Sequence, residues 1–417
     1  MAEQNSQNIV APDFGDYRQD FPVLQAQMNG KRLAFLDSAA SAQKPHHVIT
    51  AMDHVQREGY SNIHRGLYRI SQDLTAAFEA VREKVAQFIN AKTDKEIIFT
   101  RNATESINLI AQSWGRAHLQ VGDEIIITEM EHHANIVPWQ LLRDQIGIVL
   151  KIIPVSDDGV LDLDAFKALL NDKTRLISVV QISNALGTIN PVKQIIATAK
   201  TYNPAIKTIV DGSQGIVHGT VNVQDIGADF YVFTGHKLYA PTGIGVLYGR
   251  YDVLETMPPY QGGGDMIESV SFDHTTYKEP PYRFEAGTPA IVEVIGLGAA
   301  IDYLSRIGMD NIAAHENALL LDATARLQDI DGVRIYGQAP HKAGVLAFTL
   351  KDTHISDVAM ILDQCGVAVR SGHHCCMPLM QRYGIDGTVR ASMGLYTNRA
   401  DIDQFIDAVK KAKEMLL

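Results

Sequence analysis

The sequence predicts an α/β protein with a second, smaller α+β unit, and three observations carry that prediction. Six short apolar runs between residues 96 and 233 alternate with helical stretches. Polar residues capable of chemistry fall just past the ends of those runs rather than inside them. After Gly287-Thr288-Pro289 the pattern changes to a helical stretch followed by a mixed sequence of β-like runs and helices.

The runs are Glu96–Thr100, Glu124–Thr128, Leu150–Val155, Arg175–Val180, Thr208–Val210 and Phe230–Phe233. Strands this apolar, separated by helices, imply a mostly parallel sheet covered on both faces. In such a sheet the carboxyl ends of the strands share one edge, where ligands bind. The smaller unit is read from a helical stretch through Ile301–Leu304, the runs Val333–Tyr336 and Val345–Leu350, and a final amphipathic helix ending at Leu416-Leu417. Gly262-Gly263-Gly264 lacks a nucleotide-binding spacing and reads as a turn or close-approach site.

Composition bounds the function. At 417 residues and 46% hydrophobic, the chain can bury a large core and exceeds one ordinary domain. A formal charge of -11, with no block of Lys or Arg, argues against a nucleic-acid partner. No apolar run approaches the roughly 18 residues that cross a bilayer. The start, Met1–Asn8, is polar rather than signal-like, so no membrane association and a cytoplasmic location are expected. Three cysteines, two of them adjacent, do not make a disulfide framework and are expected as reduced thiols.

The chemistry is read strand end by strand end. Lys237 follows Asp229–Phe233 in the glycine-rich stretch Thr234–Gly245. A lysine held there, its stem packed and its amine partly desolvated, becomes nucleophilic toward a carbonyl and can form a Schiff base; Thr234 and His236 beside it suit a phosphate. Asn102-Ala103-Thr104-Glu105-Ser106 opens a helix whose free N–H groups make an anion site, though the same residues also make an ordinary helix cap. Glu131-His132-His133-Ala134-Asn135 follows the second run, and one of its histidines could stack on a flat ring. Asn184 lies where it could reach a ring hydroxyl. Asp211 follows Thr208–Val210, 26 residues before Lys237, where a carboxylate pairs with a pyridinium nitrogen and makes the ring an electron sink.

A second cluster is Arg370-Ser371-Gly372-His373-His374-Cys375-Cys376-Met377-Pro378. Cationic neighbours in a glycine-containing loop suit a nucleophilic thiol. Structural zinc sites space their ligands by two or more residues, so four contiguous ones argue against a metal. Cys365 reads as a buried, inert thiol. Arg390 suits a substrate carboxylate; on spacing alone it serves equally as an exposed ion-pair arginine.

Taken together these residues resemble the SUF-type (group II) cysteine desulfurases, relatives of selenocysteine lyases within the class V aminotransferase family. The resemblance also rests on Leu36–Ser41, Asn62–Gly66, Glu131–Trp139, Ser183–Gly187, Val210–Gln214, Phe233–Lys237, Phe284–Pro289 and Arg370–Cys375. It implies the fold of type I pyridoxal-phosphate (PLP) transferases. That fold has a large domain, 35–305, with a mostly parallel seven-stranded sheet, and a small α+β domain, 306–417, carrying the reactive cysteine. Residues 1–34 are implied to pack with the small domain. The resemblance further implies Lys237 as the cofactor lysine, Asp211 on the pyridine nitrogen, His133 stacked on the ring, and Gln214 and Asn184 at the ring oxygen. Ala103, Thr104, Thr234 and His236 would cradle the phosphate, with Thr288 reaching it from the neighbouring subunit of a homodimer. Arg390, Arg370, His64 and Asn184 would bind L-cysteine, and Cys375 would accept its sulfur before a small SUF-type carrier protein takes it for iron–sulfur cluster assembly. Two departures from the family stand out. Cys376 occupies a position commonly held by alanine, where a second thiol could resolve or protect the persulfide. Tyr68-Arg69 replaces polar or imidazole residues at the dimer edge.

Overall fold

The computed structural model describes residues 14–417. Seven strands form the large sheet, in the order 97–100, 245–249, 230–234, 207–211, 174–180, 124–128, 149–153. Every neighbouring pair from 230–234 to 149–153 is parallel, while Gly245–Gly249 runs antiparallel to both of its neighbours. Six strands therefore end on one edge, and the seventh begins there.

The runs are continuous rather than alternating because both faces of the sheet are buried. Phe230 and Val232 point into a core formed with the helices Ala103–Ile110 and Val137–Ile146. Tyr231 and Phe233 point the other way, into a core formed with the helices Arg69–Phe88 and Ile291–Ile307. Only the edge strand Val149–Ile153 is mostly half-exposed, and its central residue is Lys151, a charge that blunts further pairing.

Two features differ from the expectation. The strand Gly245–Gly249 lies where the sequence reads as the end of a glycine-rich turn. Its first glycine is required: a Cβ on Gly245 would sit 2.5 Å from Asn102 Cα, so the strand packs directly against the turn that opens the helix at Ala103. Two helices, His46–His54 and Arg69–Phe88, precede the first strand of the sheet, outside the region read as alternating.

The smaller unit is a four-stranded antiparallel sheet ordered 333–336, 345–350, 388–392, 370–372, with helices Met309–Gln328, Ile355–Gln364 and Arg399–Leu416 around its own core. Of the N-terminal segment 1–34, residues 1–13 lie outside the described residues, and the rest bridges both units: Tyr17 and Phe21 pack against Tyr303 of the helix Ile291–Ile307, while other contacts reach the smaller unit. Arg18 pairs with the buried Asp401 at 3.2 Å, and Ala34-Phe35 forms a parallel pair with Val367-Ala368. A boundary between 34 and 35 thus falls inside a paired strand. A boundary between 305 and 306 falls in the last turn of Ile291–Ile307, two residues before Gly308, whose φ of 89° ends the helix. Among the described residues no helix is long and apolar enough to cross a membrane.

Candidate active site

At the carboxyl edge of the large sheet, where the small unit meets it, lies a cavity of about 190 Å³. Lys237 is set into its wall by the strand Phe230–Thr234, which runs straight into a single turn, Gly235–Lys237. Burial lowers the pKa of its amine, and Asp211, also in the wall, pulls the other way. Asp211 is held by accepting the Ser213 N–H at 3.0 Å. Ala103 and Thr104 line the cavity from the first turn of their helix, which is capped by Asn102 accepting the Glu105 N–H at 2.9 Å. Thr234 and His236 complete that side. The Thr234 hydroxyl is buried and has no hydrogen-bond partner among the described residues. Gln214 and Asn184 also line the cavity, Gln214 donating to the Ala39 carbonyl at 2.8 Å.

The histidine at this cavity is His132, not His133. His132 lines the wall, and burial together with the nearby Lys237 amine pushes its pKa down to about 4. The next ring is turned out toward the cysteine loop. His133 Nε2 accepts the Met377 N–H at 3.1 Å, and the His133 backbone N–H donates to the Cys375 carbonyl at 2.8 Å. Successive residues entering the short turn His133–Asn135 point in different directions, so only one of two adjacent imidazoles can face the cavity. The turn is fixed from below. Asn135 donates to Glu131 at 2.7 Å and accepts from Trp139 at 3.0 Å and Ser178 at 2.6 Å, all of them buried.

From the opposite side the small unit contributes Arg370, His374, Cys375 and Arg390. Arg370 and Arg390 are direct cross-strand partners. Arg390 is buried; one Nη donates to the Asn184 carbonyl at 2.9 Å, the other meets Asp37 at 2.9 Å, and Nε has no partner among the described residues. The loop after Arg370–Gly372 is tightly wound, with φ of 53° at His374 and 57° at Cys375. Such values are uncommon for residues with side chains. They present the half-buried Cys375 thiol to the cavity. His374 is anchored to Thr388 Oγ1 at 2.9 Å. Cys376 is fully buried with its sulfur 3.2 Å from Asn184 Oδ1, and burial pushes its thiol up to about 12. Cys365 is half-buried at the end of the helix Ile355–Gln364, outside this cavity.

Two residues expected at the site lie elsewhere in this chain. His64 is held 2.9 Å from Glu79 and lines a separate small pocket with Asp265 and Tyr282. Thr288 lines another cavity of about 310 Å³, beside Arg101 and Tyr260. Tyr68 is exposed and Arg69 pairs with Asp73 along its own helix. Asp37, expected only as part of the motif Leu36–Ser41 and with no role of its own, is part of the site through Arg390, 353 residues away.

The donor set fits a phosphate-bearing, ring-shaped aldehyde cofactor. A buried lysine amine lies with a buried carboxylate, while an unpaired threonine hydroxyl and a helix N-terminus share the same small cavity. Fold and site together define a PLP-dependent enzyme of fold type I. The aminotransferase class-V profile matches residues 34–405, and the chain belongs to that family, among its cysteine desulfurases. A cysteine desulfurase of Pectobacterium atrosepticum is 49% identical over 400 residues, covering 96% of this chain and 98% of the relative. The cysteine desulfurase CsdA of Escherichia coli, solved as its S-sulfonic acid, superposes with a TM-score of 0.89 at 40% identity over 96% of this chain and 98% of its own. The apo cysteine desulfurase of Thermococcus onnurineus gives 0.90 at 39%, with the same coverage of both chains.

Proposed function

We propose that this chain converts L-cysteine to L-alanine and takes the sulfur onto Cys375 as a persulfide. The observation that carries the reading is that Lys237, Asp211, Cys375 and two arginines line one cavity. PLP bound there supplies an electron sink that acidifies the substrate Cα–H and weakens its Cβ–Sγ bond.

The residues divide the work by position. Lys237 Nζ, its pKa lowered by burial, would anchor the cofactor and take the Cα proton of the substrate. Asp211 would hold the proton of the pyridine nitrogen. Thr234, Thr104, His236 and the Ala103 N–H would hold the phosphate, while His132, Gln214 and Asn184 would hold the ring. Arg390, with a free Nε and a fixed guanidinium plane, grips the substrate carboxylate with Arg370 beside it. Cys375 thiolate then attacks the substrate sulfur. An S–S bond forms, the Cβ–Sγ bond breaks, and its electron pair stays on Cβ, which takes a proton to leave alanine.

The finer reading follows the family resemblance: a homodimer in which Thr288 serves the cavity of the neighbouring subunit, His64 as a substrate-binding residue, a cytoplasmic enzyme, and a small SUF-type protein accepting sulfur for iron–sulfur cluster assembly. L-Selenocysteine, differing by one chalcogen atom, would fit the same cavity. The test is incubation of the purified protein with L-cysteine, with alanine quantified and the sulfur-bearing thiol mapped by mass. Alanine and a persulfide on Cys375 are expected. A keto acid, or pyruvate with ammonia, would show an aminotransferase or β-lyase instead.

A further inference from the structure

Asn184 stands where the cavity meets the cysteine loop. One atom of its side-chain amide lies 2.7 Å from the His374 carbonyl oxygen, and the other lies 3.2 Å from Cys376 Sγ. A carbonyl oxygen only accepts, so the Asn184 atom facing His374 is the nitrogen and the atom facing Cys376 is the oxygen. The direction of the second contact follows: Cys376 must be the donor, and therefore a thiol. Its only other acceptor within reach among the described residues is the Met130 carbonyl at 4.0 Å. Cys376 is wholly inaccessible to solvent, whereas Cys375 next to it opens on the cavity.

We propose that Cys376 is a positioning residue rather than a second sulfur carrier: its S–H fixes the plane of the Asn184 amide, which thereby holds the loop that presents Cys375. One Asn184 N–H is committed to the His374 carbonyl, and the second is left for the cavity, where it addresses the ring oxygen of the cofactor. The proposal rests on the reading of the cavity as the cofactor site only for that second N–H. The pinned thiol also protects the product. A free Cys376 thiolate would attack the Cys375 persulfide, forming a Cys375–Cys376 disulfide and expelling hydrogen sulfide, whereas a buried thiol donating to Asn184 is not available for that attack.

The experiment compares the full-length wild type with Cys376→Ala and Cys376→Ser. Amide hydrogen exchange at 373–376 is followed in cofactor-free protein, and the pH titration of the cofactor absorbance in the holoenzyme. Losing one buried hydrogen bond should speed loop exchange on the order of 10-fold in Cys376→Ala, move the titration midpoint and lower kcat more than it raises KM; the serine hydroxyl should restore all three. Unchanged exchange and an unchanged midpoint in Cys376→Ala overturn the proposal. So does substrate-derived sulfur mapped on Cys376 of the wild type, a result that needs no variant to fold. If the wild type shows no cofactor absorbance, the cofactor reading fails instead, while the exchange data on the apoprotein still decide the role of Cys376.

Discussion

Arg390 shows how much a single side chain depends on partners far away in sequence. Its guanidinium spends one Nη on the Asn184 carbonyl and one on Asp37, which leaves an oriented edge for the substrate. Lysine keeps the charge but not the fork. Arg390→Lys should raise KM for L-cysteine by roughly 10- to 100-fold, the loss expected of a charged hydrogen bond, with a smaller effect on kcat; steady-state alanine production checks this. Cys375→Ser should keep cofactor absorbance and lose the persulfide, and a labelled-sulfur assay separates the two. Lys237, Asp211 and Cys375 were legible in the sequence because each sits just past a β-like run or in a reactive cluster. Asp37 was not, because nothing local marks a carboxylate whose partner is 353 residues on. The choice between His132 and His133 was not legible either, since adjacent imidazoles differ only in the direction the turn gives them.

The turn that aims His132 is an element built from below by a polar network within the motif Glu131–Trp139. Asn135 satisfies a glutamate oxygen, an indole N–H and a serine hydroxyl at once, and all four groups are buried. Asn135→Ala leaves those partners unpaired, so a loss on the order of 3 kcal/mol is expected, from about 1–3 kcal/mol per stranded group less the relaxation around them. A lower denaturant midpoint at unchanged slope would show it. The strands themselves were readable to within a residue or two because burial on both faces leaves an uninterrupted apolar run. Gly245–Gly249 escaped because a strand bounded by glycines, short and antiparallel, has the composition of a turn. The glycine that hides it is the one demanded by its contact with Asn102.

At the scale of the whole molecule, the cavity sits between two cores, and packing them together strands titratable rings in the seam. His132 and His236 on the large side are pushed down to about 4, and His374 on the small side to about 3, in each case chiefly by burial. Lys237 adds to the first two, and Arg390 to the third. The sign of the consequence is fixed. Between these values and the ordinary 6.5, the unfolded chain binds protons that the folded one refuses, so stability is complete above about pH 6.5 and is lost as pH falls toward 4. Glu131 works the other way: burial raises it to about 8, so the folded state keeps a proton that the unfolded chain has already released above 4.5. His133, also lowered by burial, sides with these rings, and Asp37, raised by burial, sides with Glu131; between 4.5 and 6.5 the rings outnumber the carboxyls and decide the slope. Thermal unfolding should therefore show a midpoint that drops steadily as the pH is lowered from 6.5 to 4.5. His236→Asn, which removes one refused proton, should flatten that drop measurably. A midpoint independent of pH across this range would mean that the three imidazoles are solvated, and that the two units do not close on one another as tightly as the cavity between them requires.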